Sequence, residues 1–378
     1  MTAVTIQRVR VYSMGLPLRH SFQTSSHRKS GIEHLLVELT DSDGRIGWGE
    51  IASPSDPFFC SETIDTAWLL ATKYLAPAVL GASWDWPEEL EATWAKVRGH
   101  EFAKAGFAGA AWDLFAQRGG VSLSQALGGT RTEVVAGVSL GIEPSIDALL
   151  TQVAQHTSAG YGRVKLKIAP GWDVEAVRAV RGAFPALDVH VDANGAYPRS
   201  VESTRIFREL DTQGLTMIEQ PFGVRDFVSH AELQAMIETP ICLDESVVTI
   251  EDLETMLRLD AGRILNIKVS RMGGLSQAKR AHDVAADAGV PVWCGGMHEF
   301  GIGRAANVAI SSLPNFLLPS DVSGSDKYYE RDIIDPPVVA VSGVVAVPTG
   351  TGLGFEVDTA RIQELSTAIF DSAEEDLA

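Results

Sequence analysis

The sequence predicts an α/β fold: a (β/α) barrel of the modified TIM type, preceded by an α+β block. Three observations predict it. Short apolar segments recur at a nearly constant interval from residue 132 onward. Helix-like amphipathic segments lie between them. The ends of five successive strand-like segments carry lysine, acid, acid, acid and lysine in turn.

In chain order, Val4–Leu16 and Glu33–Thr40 read as strands, and Asp41-Ser-Asp-Gly44 is a hairpin turn into a third strand, Arg45–Glu50. Glu62–Tyr74, Pro87–Lys96 and Glu101–Gln117 read as helices, completing an α+β domain over residues 1–130. Barrel strands begin near Thr132, Arg163, Leu187, Leu215, Ile241, Ile264, Pro291 and Asn315, 23 to 31 residues apart, the size of one βα unit. Val174–Ala183, Ser200–Leu210, Asp226–Ile237, Ile250–Leu259 and Leu275–Ala288 are the helices between them, and Ser229 and Glu232 have capping-box spacing. Eight repeats point to a closed barrel over residues 131–335 rather than an open doubly wound sheet. Such a sheet usually carries a glycine-rich phosphate turn after its first strand; Gly301-Ile-Gly303 is late and incomplete. Residues 336–378 hold a strand-like run and a last helix that fit no ninth unit and are expected to return to the N-terminal block.

Composition narrows the function. A formal net charge of −18 argues against nucleic acid as a partner, because phosphate would be repelled. No apolar run reaches the roughly 20 residues of a membrane helix. Met1–Tyr12 alternates apolar residues with Arg8 and Arg10 and lacks a signal-peptide core, so a cytoplasmic protein is expected. Cys60, Cys242 and Cys294 are far apart and suit neither a disulfide framework nor a zinc cluster.

Active residues of a parallel barrel gather at the C-terminal ends of its strands. Lys165 and Lys167, Asp192, Glu219, Asp244 and Lys268 stand there, with 24 to 27 residues from Lys167 to Asp192 and between each later pair of neighbours. Three converging carboxylates cannot all stay ionised without a cation, and an all-oxygen donor set suits Mg²⁺ or Mn²⁺. A salt bridge or helix cap is the ordinary use of any one of these acids; three in succession favour a divalent-metal site. Lys165 and Lys167 share a strand face, and mutual repulsion is expected to lower the pKa of at least one, making it a base. Lys268 lies across the mouth. A phosphate clamp or a Schiff-base lysine is the competing use, weakened by the acids nearby. One base on each face of a planar intermediate is what racemisation requires.

Further motifs join these: Lys165-Leu-Lys-Ile-Ala-Pro-Gly-Trp-Asp-Val174, Val191-Asp-Ala-Asn194, Ile218-Glu-Gln-Pro221, Pro240-Ile-Cys-Leu-Asp-Glu-Ser246 and Trp293-Cys-Gly-Gly-Met297. Gly303-Arg-Ala-Ala-Asn307 and Ser312-Leu-Pro-Asn-Phe316 fit as well. With them the chain resembles the enolase superfamily, in its muconate-lactonizing-enzyme subgroup, over essentially its whole length. Within the subgroup it is most similar to the o-succinylbenzoate synthase/N-acylamino acid (N-succinylamino acid) racemase family. The resemblance implies a capping domain made of the N-terminal block and the tail. It implies Asp192, Glu219 and Asp244 as metal ligands, and Lys167 and Lys268 as the acid/base pair, with Lys165 supporting Lys167. Ser139, Asn194, Gly296 and Met297 match positions lining the substrate pocket, Glu245 an acid behind the metal ligands, and Arg271 an arginine associated with racemising members. The implied chemistry is proton removal next to a carboxylate through an enediolate.

Two places depart from the family's pattern. His298 follows Met297 where an apolar residue is usual, and is expected either to bond a neighbour or to touch the substrate. The loop His20–Lys29 has Ser26 where an aromatic residue is common; its His27-Arg28-Lys29 cluster is either solvated or meets a distal carboxylate. Phe58 and Phe59 are candidate pocket walls. Racemisation of N-acyl amino acids is the first reading and o-succinylbenzoate synthesis, a dehydration in menaquinone biosynthesis, the second. Dipeptide epimerase and muconate cycloisomerase follow; Asp321-Val-Ser323 breaks the Asp-x-Asp expected of the epimerase. A small-molecule carboxylate is the expected partner, with no nucleic acid or membrane, and a homo-oligomer is expected by analogy.

Overall fold

The computed structural model describes residues 3–23 and 28–374. Its first layer is an antiparallel sheet of Val4–Gln23, Arg28–Asp41 and Ile46–Ile51, with Ser366–Asp371 from the tail added beside Val4–Gln23. The first strand runs past Leu16, where the sequence reading ended it. Pro17 still pairs with Gly31, and the register breaks between Pro17 and Phe22. Proline lacks the ladder N–H and is tolerated next to such an irregularity. Helix Glu101–Gly119 crosses the sheet at very short range. A β-carbon at Gly49 would stand 1.8 Å from the Gly106 carbonyl oxygen, so only glycine permits this packing. The returning tail is held by charge: Arg8 and Arg10 both donate to Asp371, and Arg10 also pairs with Glu38 at 3.0 Å.

The barrel sheet holds Val138–Leu140, Arg163–Lys167, Asp188–Asp192, Met217–Glu219, Ile241–Leu243, Ile264–Ile267 and Val292–Cys294, all parallel and in chain order. Two corrections concern its ends. The segment beginning at Thr132 is split: Glu133–Val135 leaves the barrel and pairs antiparallel with Val344–Ala346 of the tail, and Val138–Leu140 is the barrel strand. The eighth strand shrinks to single bridges, Phe316 to Val292 and Ser320 to Ala136, which close the ring. Pro314 and Pro319 flank it and offer no ladder N–H.

The surrounding helices Val174–Ala183, Val201–Asp211, Phe227–Gln234, Ile250–Leu259 and Leu275–Asp287 lie where the periodicity places them. Four start on side-chain caps, Asp173, Ser200, Asp226 and Thr249. The capping box read at Ser229 is therefore displaced: Asp226 caps this helix and accepts from the Ser229 amide.

Glu62 ends the loop that carries Phe58 and Phe59, and accepts from the amides of Phe102 at 3.1 Å and Ala103 at 2.7 Å. Burial pushes its carboxyl up from 4.5 to about 7, against the pull of those amides. In the unfolded chain it ionises near 4.5, so between the two values the fold holds more protons and stability falls as pH rises. Glu62→Gln is expected to flatten this slope, as measured by denaturant unfolding at the two ends of that window.

Candidate active site

Strand register assembles the site. Arg163, Lys165 and Lys167 alternate onto one face of their strand, which turns into the barrel. Lys167 pairs in register with Asp192, and Asp192 with Glu219; Asp244 follows the strand Ile241–Leu243. One oxygen each of Asp192, Glu219 and Asp244 lies within 4.8 Å of the others, and all three side chains are buried.

Each acid has distinct partners. Asp192 accepts from Lys167 Nζ at 2.5 Å and from the Asn194 amide at 2.9 Å. Glu219 Oε1 accepts from Asn266 Nδ2 at 2.7 Å. Asp244 accepts from Arg271 and has Lys268 Nζ at 2.8 Å. Glu219 Oε2 and Asp244 Oδ2 are buried without a well-formed hydrogen bond, although Lys165 stands 3.1 Å from the first and Lys268 beside the second. Burial, then repulsion from Asp192, pushes Glu219 well above the usual carboxylate range. Burial also acts on Asp244 and Asp192, but nearby cations outweigh it and both are lowered: Lys268 and Arg271 for Asp244, Lys167 and Lys165 for Asp192. Clustered carboxylate oxygens, two lacking a good donor, fit a hard divalent cation.

Two of the three lysines are held in their charged form by the acids around them. Lys165 is buried 3.0 Å from Asp321, 3.1 Å from Glu219 and 3.6 Å from Asp192. Burial alone would lower it, but these acids hold it well above its ordinary value. Lys268 is likewise lowered by burial and raised further by Asp244. Attraction by carboxylates, which strand order alone does not weigh, exceeds the repulsion between neighbouring ammonium groups.

A cleft of about 1130 Å³ opens over the acids. Ser139, Lys165, Lys167, Asn194, Glu245, Lys268, Gly296, Met297 and His298 all line it. Asn194 links two of the acids' supports: Oδ1 accepts from Lys167 at 2.7 Å and Nδ2 donates to Glu245 at 2.8 Å. Burial, then Asp244 and Asp192, pushes Glu245 up to about 7. Met297 Sδ lies 3.7 Å from Lys268 Nζ, which also sits 4.6 Å over the Phe59 ring. His298 meets Phe22 and Tyr328 edge-on, at 4.8 and 5.2 Å between ring centroids. Burial, then Lys29, holds its imidazole well below the usual range, so it is neutral. Arg271 is buried outside the cleft, its Nε on the Val247 carbonyl at 2.9 Å, and it holds Asp244. Of the loop cluster, His27 lies outside the described residues, Arg28 bonds Ser21 Oγ, and Lys29 faces the cleft.

Sequence reasoning missed Asp321 and Arg163. Asp321 follows the last, shortened strand and accepts from Ser139 Oγ at 2.9 Å and Arg163 at 2.7 Å. The signals were present: Arg163 shares the face of Lys165 by alternation, and Asp321 stands at a strand end as Asp192 does.

Comparison with known proteins agrees with this architecture. Residues 4–128 match the mandelate racemase/muconate lactonizing enzyme N-terminal domain, and residues 148–361 the enolase C-terminal domain-like model. The chain is 45% identical over 361 residues to an o-succinylbenzoate synthase of Geobacillus kaustophilus, covering 96% of each. It is 43% identical over 369 residues to an N-succinylamino acid racemase of an Amycolatopsis species, covering 97% of this chain and 98% of the relative. A solved enolase-superfamily structure from Listeria innocua superposes with a TM-score of 0.94 at 36% identity, covering 97% and 99%. By fold, site and sequence alike, this chain is an enzyme of the enolase superfamily, in the mandelate racemase/muconate lactonizing enzyme family.

Proposed function

We propose that this enzyme moves the proton next to the carboxylate of an N-acyl amino acid, in particular an N-succinyl amino acid, from one face to the other. The carrying observation is the placement of two lysines in one cleft, Lys167 on Asp192 and Lys268 on Asp244, at different edges of the acid cluster. Lys167 takes the proton on one face and Lys268 returns one on the other. Lys165 and Lys268 present positive charge to the site. Asp192, Glu219 and Asp244 would hold Mg²⁺ or Mn²⁺, which when bound supplies positive charge where the substrate carboxylate gains negative charge. Asn266, Arg271 and Asn194 orient the acids and Lys167.

Dehydration to o-succinylbenzoate is the second reading, favoured by the 45% identical relative of that name. There one lysine removes the proton and hydroxide departs. Both readings put a succinyl chain in the cleft, and Lys29 supports that. Burial lowers this lysine against a weaker pull from Asp56, and its side chain makes no ion pair or hydrogen bond among the described residues. A substrate's second carboxylate is its natural partner. Lys29→Gln is expected to raise KM for N-succinyl over N-acetyl substrates about ten-fold to a hundred-fold, the worth of a charged hydrogen bond. Steady-state kinetics on both substrate sets check this.

The remaining parts of the proposal are a homo-oligomer, read by light scattering, and a cytoplasmic location. Incubation in D₂O with Mg²⁺ and a panel of N-acyl amino acids tests the activity. Deuterium at the α-carbon with change of handedness supports racemisation; no exchange of any N-acyl amino acid, with dehydration of the cyclohexadiene precursor of o-succinylbenzoate assayed beside them, supports the second reading instead.

A further inference from the structure

The loop carrying Met297 and His298 is anchored from the other domain. Helix Gly301–Ser311 begins just after it, and its N-cap residue, Phe300, makes no side-chain cap. First-turn amides lack partners inside a helix and gather partial positive charge. Two carboxylates from elsewhere meet them. Asp332 accepts from the Gly301 amide at 2.8 Å. Glu50, on the capping strand Ile46–Ile51, accepts from the Phe300 amide at 2.8 Å and the Gly303 amide at 2.7 Å.

His34, on the neighbouring capping strand, places Nδ1 2.7 Å from Glu50 Oε1 and its ring 5.0 Å from that of Phe300. Glu50 and His34 are both buried. A β-carbon on Gly303 would lie 3.0 Å from Glu50 Oε2, so this glycine lets the carboxylate close onto the helix end. Within the loop, Glu299 Oε2 accepts from the Met297 amide at 2.9 Å, and Tyr329 donates to the His298 carbonyl. His298 itself has φ of 63°, a left-handed conformation that non-glycine residues seldom hold unless their surroundings impose it.

We propose that Glu50, held by His34, is a positioning residue: it fixes the loop 296–300 and so sets the shape of the cleft's acyl end. The capping domain thereby governs substrate selection through a residue that does not line the cleft. This rests on the reading above, in which the cleft that Lys29, Met297 and His298 line takes the succinyl chain.

Hydrogen–deuterium exchange on the full chain reads the anchor directly. In Glu50→Gln, which loses the charge and one acceptor, amides of residues 296–303 are expected to exchange about ten-fold faster, with the rest of the barrel unchanged. Equal exchange in that segment, or faster exchange throughout, overturns the proposal. Kinetics read the consequence: KM for an N-succinyl amino acid rises about ten-fold while kcat falls far less, and the rise vanishes in a His298→Ala background. Equal loss of kcat across all substrates overturns it too. His34→Asn carries the same two measurements if Glu50→Gln does not fold. Should the parent move no α-proton, the reading of the reaction falls while the exchange data still decide the anchor.

Discussion

Replacing Lys167 by alanine is expected to lower racemisation by about 10²- to 10⁴-fold, the usual worth of a positioned acid or base. The informative part is what survives. With Lys268 still in place, the enantiomer whose proton faces Lys268 should keep exchanging in D₂O without inverting. Lys268→Ala should show the mirror image: exchange confined to the other enantiomer. The geometry motivates this asymmetry, because the two ammonium groups rest on different acids, Lys167 on Asp192 and Lys268 on Asp244. Each variant's exchange, followed by NMR for both enantiomers, checks it. Loss of every exchange in one variant with none lost in the other would mean that one lysine does all the proton transfer.

The second large effect concerns Glu219, and its sign differs between stability and activity. Without a cation, burial and the neighbouring Asp192 hold this carboxyl well above its ordinary value of 4.5. Across that interval the fold keeps a proton that the unfolded chain releases, so stability drops as pH rises above 4.5. Glu219→Gln removes the repelling charge and keeps an acceptor for Asn266, so the metal-free variant should melt higher than the metal-free parent above that pH. Adding Mg²⁺ reverses the order. A ligand at a hundred times its Kd stabilises the parent by about 2.7 kcal/mol, whereas the variant, lacking one ligand, gains little. Activity should fall on the order of 10³-fold or more, since several kcal/mol of charge stabilisation go with the cation. Thermal melts with and without Mg²⁺, beside EDTA-treated parent, check both signs.

Most of this centre was legible in the sequence because it sits on regular elements. Asp192 and Glu219 are in register on adjacent parallel strands, and an apolar lead-in marks each strand end. What escaped depends on contacts between distant segments. Glu133–Val135 finds its partner in the tail, beyond the reach of any local pattern. Asp321 follows a strand reduced to bridges, and its part in the site comes from reaching across to Arg163 and Lys165. Its carboxylate, with those of Glu219 and Asp192, in turn decides the charge on Lys165, which strand order alone does not give. Arg271 stands three residues after Lys268, and spacing says nothing of its partner; packing shows it buried against Asp244. The conformation of the loop with His298 is imposed by Glu50 and Tyr329, neither of which is its sequence neighbour.

Manganese is the most direct probe of the acid cluster, since it shares magnesium's preference for oxygen and scatters anomalously. Crystals of the protein grown with Mn²⁺ should show one anomalous peak about 2.0–2.2 Å from an oxygen of each of Asp192, Glu219 and Asp244. A peak elsewhere, or none at Mn²⁺ concentrations that saturate activity, would contradict the account.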